Sequence, residues 1–171
     1  MMKKISISIL TLTVTVAALL MFTLTVDAQP RPHRLGVVIR IDTPDDFFMT
    51  RADIATEVLR DVRSSIDDAR GISVVDQDVL VSAQEQLGIT LGIDSENREL
   101  NVVSNLLNLD RLVVIHIDVS NRFNVEIISV IYNNNAERTA NLNANATGPL
   151  FEGVLQRATN EFLEELIDIL N

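Results

Sequence analysis

The chain has 171 residues, of which 47% are hydrophobic and only 4% aromatic, which fits one domain with an aliphatic core plus a targeting segment and makes an aromatic binding platform unexpected. It contains no Cys, which excludes thiol nucleophiles, disulfides and Cys-based zinc sites. Its formal net charge of −10 disfavours binding to nucleic acid and to anionic lipid, because phosphate groups repel an acidic protein.

Residues 1–28 are predicted to be a bacterial secretory signal. Lys3 and Lys4 precede the uncharged apolar run Ile5–Val26, and a V-x-A cleavage site ends at Ala28. An uncleaved membrane anchor is the alternative, because the run of about 20 apolar residues could span a bilayer. We expect cleavage after Ala28, a periplasmic or secreted protein and no membrane insertion afterwards. Loss of this segment, with two Lys and one Asp, changes the net charge to −11.

A strand and a helix, separated by an acidic turn, follow a short Pro-rich linker at residues 29–34. Alternating apolar residues predict the strand over Leu35–Ile41. The next five residues carry three carboxylates, which could bind a metal or form a capped turn; their spacing matches no calcium loop, and we expect the turn. Apolar residues four apart predict a helix over Thr50–Arg70, with Thr50 as N-cap and Asp53 near a capping-box position.

The middle of the chain reads as a short strand and two short helices. The strand is predicted over Ile72–Asp76. Asp78 is expected to cap a helix over Val79–Leu87, which ends at Gly88. Ser95 is expected to cap a second helix, whose apolar face lies within residues 100–107.

The stretch Leu109–Tyr132 is predicted to be the centre of the fold. Its two runs rich in β-branched residues, Leu112–Val119 and Asn124–Tyr132, flank a polar turn, which predicts an antiparallel hairpin. Apolar side chains at nearly every position indicate strands covered on both faces. We therefore expect this hairpin at the centre of a sheet that the flanking helices cover.

The last strand and helix are amphipathic. Over Glu137–Ala146, Ala and Leu alternate with Asn, which indicates one buried and one wet face. The helix is predicted over Leu150–Leu170. Its polar face carries four carboxylates that are either solvated or a surface for a basic partner: Glu161, Glu164, Glu165 and Asp168.

These patterns predict the order β-α-β-α-α-β-β-β-α. The fold class is α/β (α+β), a sandwich of two or three layers with a mixed sheet of about five strands.

His116 and Asp118 are the candidates for catalysis. On a strand they project to the same side, about 7 Å apart, so that the carboxylate could orient an imidazole base. A triad would also need an activated Ser or Thr, and the chain has no G-x-S-x-G motif. The sequence has neither the further His or Cys residues that a zinc site would need nor the clustered Gly residues of a phosphate-binding loop. We therefore expect no metal and no cofactor. The alternative is that His116 has a structural role, with its ring nitrogens hydrogen-bonded near the end of the strand.

A family resemblance rests on the element order over residues 35–171 and on four segments: R-G-I-S-V-V-D-Q-D-V-L (Arg70–Leu80), S-A-Q-E-Q-L-G-I (Ser82–Ile89), L-L-N-L-D (Leu106–Asp110) and R-L-V-V-I-H-I (Arg111–Ile117). They resemble the domain shared by the TolB amino-terminal region, the curli secretion protein CsgG and the lipoprotein activators of penicillin-binding proteins, an anticodon-binding-like sandwich. The resemblance implies a periplasmic, non-enzymatic scaffold that docks onto envelope proteins.

The chain departs from this family at several positions. Asn108 and Leu109 stand where the family has Gly-Ala, and His116 stands where Gly is common. There is no Cys to carry a lipid, no segment like the membrane-crossing hairpins of the curli channel, and no propeller after the domain, so lipid anchoring and pore formation are not implied. We expect a non-catalytic adaptor for a secretion, flagellar or cell-wall assembly. The alternative is a small periplasmic hydrolase that uses His116 and Asp118. The partner and the oligomeric state stay open.

Overall fold

The computed structural model describes residues 32–67, 71–121 and 123–170. The predicted signal sequence and residues 29–31 of the predicted linker lie outside the described residues. The helices and strands of the described part are β1 (His33–Asp42), α1 (Arg51–Asp67), β2 (Ile72–Val74), α2 (Gln77–Leu87), α3 (Asn97–Leu107), β3 (Arg111–Asn121), β4 (Asn124–Asn133), β5 (Arg138–Thr147) and α4 (Phe151–Leu170). This order confirms the prediction.

The five strands form one mixed sheet in the order β2-β1-β3-β4-β5. β1 pairs in parallel with β2 and β3, while β3–β4 and β4–β5 are antiparallel. The predicted hairpin therefore supplies the central strand β3 and its neighbour β4. This arrangement confirms the predicted fold class and the predicted position of the hairpin.

Helices cover both faces of the sheet, so the fold has three layers. On the first face, α1 and α4 pack on the alternate residues of β1 that the sequence placed together, and on Val113, Ile115 and Ile117 of β3. On the second face, α2 and α3 pack on Val38, Leu112 and Val114. β1 and β3 contribute apolar side chains to both cores, because successive side chains of a strand point to opposite faces of the sheet. Among the described residues, no helix is both long and apolar enough to cross a membrane.

Several elements begin at residues other than those predicted. β1 begins at His33, so the last two residues of the predicted linker belong to the strand. Asp76 is the N-cap of α2, and Asp78 lies in its first turn. Glu96 is the N-cap of α3, where it forms a capping box with Glu99. The expected caps Asp78 and Ser95 are therefore wrong.

The predicted cap of α1 is confirmed. The Asp53 backbone N–H donates to Thr50 Oγ1 over 3.1 Å, and the Thr50 backbone N–H donates to Asp53 Oδ2 over 3.3 Å. These reciprocal bonds are those of a capping box with Asp in place of Glu.

The start of β3 is tied to the start of β1 by a reciprocal pair of bonds. The Asp110 backbone N–H donates to the Arg34 carbonyl over 2.9 Å, and the Arg34 backbone N–H donates to Asp110 Oδ2 over 2.7 Å. Asn108, just before, is left-handed with φ 53° and ψ 52°. Asn is the side-chain-bearing residue that most readily replaces Gly at such a helix end. The L-N-L-D segment thus closes α3 and sets the register of two strands.

Candidate functional site

The second face of the sheet is covered by helices over one half only. α2 and α3 bury Leu112 and Val114 of β3 and Val130 of β4. Beyond them, β1, β3 and β4 present exposed or half-buried polar side chains, here called the polar half-face: Arg40, Asp42, His116, Asp118 and Glu126. The expectation that the hairpin is covered on both faces therefore holds for one half of the strands and is wrong for the other.

His116 contacts a carboxylate of the neighbouring strand. The sequence placed His116 and Asp118 on one side of β3, and the ion pair that the structure shows joins His116 Nε2 to Asp42 Oδ2 at 3.5 Å. This follows from the parallel register, which sets Asp42 beside Asp118 and Arg40 beside His116. The His116 side chain is 23% exposed and that of Asp42 is 71% exposed. Because the carboxylate of Asp42 is largely exposed to water, this contact is worth little energetically.

A shallow depression of about 370 Å³ adjoins His116. Its other wall is the loop of residues 90–95, which is held to the sheet because Arg40 Nε donates to the Leu91 carbonyl over 2.7 Å. The nearby Ser95 hydroxyl accepts a hydrogen bond from the Gly92 backbone N–H over 2.8 Å. No hydrogen bond among the described residues joins His116 to a hydroxyl, the contact through which a His base activates a nucleophile. Nor do they contain three or more His, Cys, Asp or Glu side chains grouped to hold a metal ion.

The outer face of α4 carries the acidic surface that the sequence singled out. Its four carboxylates, here called the acidic ridge, are all exposed: Glu161, Glu164, Glu165 and Asp168. None of the ion pairs found among the described residues includes them. Arg111 Nη1 donates to the Ile169 carbonyl over 3.0 Å at the end of the helix. This cation partly offsets the unfavourable placement of acids near a helix C-terminus.

Sequence reasoning missed a set of apolar side chains at one end of the sheet. Phe48, Phe123 and Leu150, here called the apolar pole, are exposed, while Phe47 and Phe151 lie in ring contact with Phe48. The low proportion of aromatic residues made an aromatic binding surface unexpected, but composition does not show whether the few aromatic residues lie close together in the fold. The signal available in the sequence was the Phe-Phe pair directly after an acidic turn.

No protein-family model matches the chain, and a search of curated proteins finds no match. Several solved structures resemble it, including the following three. Lipoprotein GNA1162 of Neisseria meningitidis matches with a TM-score of 0.54 at 15% identity, over 82% of this chain and 100% of that chain. The hypothetical protein CT253 of Chlamydia trachomatis matches with a TM-score of 0.50 at 10% identity, over 80% of this chain and 96% of that chain. The C-terminal domain of LpoB from Salmonella enterica matches with a TM-score of 0.49 at 14% identity, over 74% and 90%. At these identities, the first two matches show a shared fold and nothing more.

Proposed function

We propose that this chain is an exported, non-catalytic protein of the bacterial cell envelope that binds other proteins of a periplasmic or outer-membrane assembly. Secretion, flagellar and cell-wall machineries are the assemblies that the sequence resemblance suggests. Among the structures described above that share this fold, one is named a lipoprotein. We infer that this chain is likewise located in the cell envelope and that the predicted signal directs its export. Membership of the family to which TolB and CsgG belong is part of the same proposal.

The acidic ridge is the observation that carries this proposal. Four carboxylates stand side by side on a helix whose opposite face is buried in the core. Like charges three or four residues apart repel one another. A partner surface rich in Arg or Lys would relieve this repulsion and speed the encounter of the two proteins. We therefore take the ridge as a surface for a basic partner.

Photo-crosslinking in intact cells tests the proposal. Residues 29–171 contain no Lys and the chain has no Cys, so a genetically encoded benzophenone is a better probe than amine-reactive reagents. Placed at Glu164, it should yield adducts whose other component, identified by mass spectrometry, is an envelope protein. Recovery of no envelope protein would contradict the adaptor function.

A charge-reversed pair of variants supplies the matched control. Glu164→Lys should weaken capture, while Glu85→Lys should not, because Glu85 is also exposed and helical but lies on α2, across the sheet. The loss should shrink as salt rises, because the Debye length is only about 10 Å at 0.1 M salt. Equal effects of the two substitutions would show that overall charge, and not the ridge, governs capture.

The alternative function is a small periplasmic hydrolase. The observation in its favour is the contact of His116 with Asp42, which replaces the expected pairing with Asp118. Purified protein can be screened with ester, amide and phosphoester substrates. If His116→Ala abolished a measured turnover while the protein stayed folded, the hydrolase would be correct and the adaptor function wrong.

A further inference from the structure

The three residues of the apolar pole come from three different loops at the same end of the sheet. Strand pairing sets this arrangement, since Asp42 is the register partner of Asp118, and Asn124 is that of both Asn121 and Thr147. The loops that leave β1, join β3 to β4 and follow β5 therefore emerge together.

Phe48 is held in place by rings beneath it. The centroid of Phe47 lies 4.7 Å from that of Phe48 and 4.8 Å from that of Phe151, and the Phe48–Phe151 distance is 5.5 Å. Phe151 is buried in the core at the start of α4, whereas 64% of Phe48 is exposed. The contacts of Phe151 with Phe47 and with Phe48 are edge-to-face, an arrangement that stabilises beyond the area it buries. Phe48 is thus an ordered, outward-facing ring.

The other two members of the pole are also anchored. Leu150 directly precedes Phe151 and is 74% exposed, and Phe123 is 46% exposed. The Gly148 backbone N–H donates to the Phe123 carbonyl over 3.0 Å, which fixes the hairpin beside the loop that follows β5. The Phe123 backbone N–H in turn donates to Asn121 Oδ1 over 2.8 Å. These bonds hold the backbone of the hairpin beside that of the loop that carries Leu150.

Aromatic residues are concentrated at this end of the molecule. Four of the five Phe residues in residues 29–171 lie here, and only Phe162 lies elsewhere. Phe48 and Leu150 are the two most exposed large apolar side chains among the described residues. Exposed apolar side chains gathered in one place and rimmed by polar residues are typical of a protein interaction site.

The rim of the apolar pole is acidic. Three exposed carboxylates come from the loop that leaves β1 and from the start of α4: Asp45, Asp46 and Glu152. Two described Arg side chains nearby hydrogen-bond to uncharged groups of the chain, since Arg157 Nη2 donates to the Thr147 carbonyl over 2.7 Å and Arg51 Nε donates to Thr43 Oγ1 over 3.4 Å. None of the ion pairs among the described residues joins these two Arg residues to the carboxylates of the rim. Arg122, in the hairpin, lies outside the described residues. An apolar centre with this rim complements a segment with an apolar anchor and basic flanks, and it repels anionic lipid.

We propose that the apolar pole docks a partner-protein segment that inserts an aliphatic or aromatic side chain between Phe48, Phe123 and Leu150 and sets Arg or Lys against the acidic rim. This inference rests on the proposed function and names a docking surface distinct from the acidic ridge.

Site-specific crosslinking tests the inference in the full-length chain. Benzophenone at Phe48 should give an adduct with an envelope protein, and the crosslinked peptide of that protein should contain more Arg and Lys than Asp and Glu. The control position is Leu106 on α3, which is 50% exposed and should give no such adduct. An adduct of equal yield from both positions, or a crosslinked peptide that is acidic, would overturn the inference.

The identified partner segment then serves as the probe in a binding titration. Leu150→Ser should weaken its affinity about tenfold or more, as loss of an interface anchor does, whereas Leu106→Ser should leave the affinity unchanged. Leu150 lies in a loop and is largely exposed, so its variant should unfold at the same denaturant concentration as the wild type. Unchanged affinity of folded Leu150→Ser would overturn the inference.

Two further outcomes separate this inference from the proposed function. Adducts from position 164 without any from position 48 would overturn the pole and leave the adaptor function standing, whereas no envelope adduct from either position would contradict both. A membrane is the competing occupant of the pole. If the wild type floated with vesicles of phosphatidylethanolamine and phosphatidylglycerol and Leu150→Ser did not, the pole would be a lipid contact and the inference would be wrong.

Discussion

Replacing Gly36 by Ala should destabilise the protein, because the second core has no room for one more methyl group. Gly36 lies on β1, opposite Leu112 of β3. A Cβ atom here would stand 2.6 Å from Leu109 Cδ1 and 2.9 Å from Leu112 Cδ1. Since carbon atoms pack best at about 3.5–4.0 Å, these methyls would have to retreat by roughly 0.6–0.9 Å. Both leucines are buried, so they cannot turn out into solvent.

The expected loss follows from two opposing terms. Overpacking of a core costs about 1–3 kcal/mol, while exchange of Gly for Ala restricts the unfolded chain and returns about 0.4–1 kcal/mol. The midpoints of these two ranges differ by about 1.3 kcal/mol. We therefore expect Gly36→Ala to lower the free energy of unfolding by roughly this amount, measured as a lower urea midpoint with an unchanged slope.

Gly153→Ala is the matched control for this measurement. Gly153 lies within α4, and no atom stands within 4 Å of an added Cβ. Here the same substitution should raise stability by about 0.5–1 kcal/mol, because Ala favours a helix over Gly. If both variants were as stable as or more stable than the wild type, the second core would be loose and the packing reasoning around Gly36 would be refuted.

Three other measurements probe the reciprocal hydrogen bonds of Arg34 and Asp110, the second core and the polar half-face. Asp110→Ala should cost about 1–2 kcal/mol of unfolding free energy in the same urea assay, because a backbone N–H of β1 loses its acceptor; Asp110→Asn keeps an acceptor and should lose less. Burial raises the pKa of Tyr132 above 10.0, so its contribution to stability is complete below the ordinary Tyr pKa and is lost as pH rises through the raised value. Phenolate absorbance of this single Tyr should therefore titrate above pH 10.0, and a midpoint at or below it would contradict the burial. His116→Ala should change stability by less than about 1 kcal/mol, since its pair with Asp42 is exposed; a larger loss in calorimetry would show that the pair is structural.

The apolar pole and the polar half-face show why parts of the surface could not be predicted. Asp42 and His116 are 74 residues apart in sequence and meet because β1 and β3 pair in parallel. Phe48, Phe123 and Leu150 likewise come from separate loops. Residue spacing can place side chains together only when they share a strand or a helix, as His116 and Asp118 do.

Helix starts show a smaller failure of the same kind. Ser95 looked like the cap of α3, yet its hydroxyl accepts a hydrogen bond from Gly92 within the preceding loop, and Glu96 caps the helix. At the start of α2, Asp76 is the N-cap and its carboxylate lies 3.2 Å from Arg63 Nη2 of α1. At one start Ser95 bonds within the preceding loop, and at the other Asp76 contacts a different helix. The helix propensities of single residues do not account for such contacts.

The sequence by itself determined the order of the elements, the aliphatic core and the buried face of each amphipathic element. These follow from periodicities of two and of about 3.6 residues, which are local properties of the chain. The tertiary structure decided which half of the sheet stays uncovered, which carboxylate His116 meets and where the exposed Phe rings gather. Those features depend on strand register and on which helix lies over which strand, and both are set by packing between residues far apart in the chain.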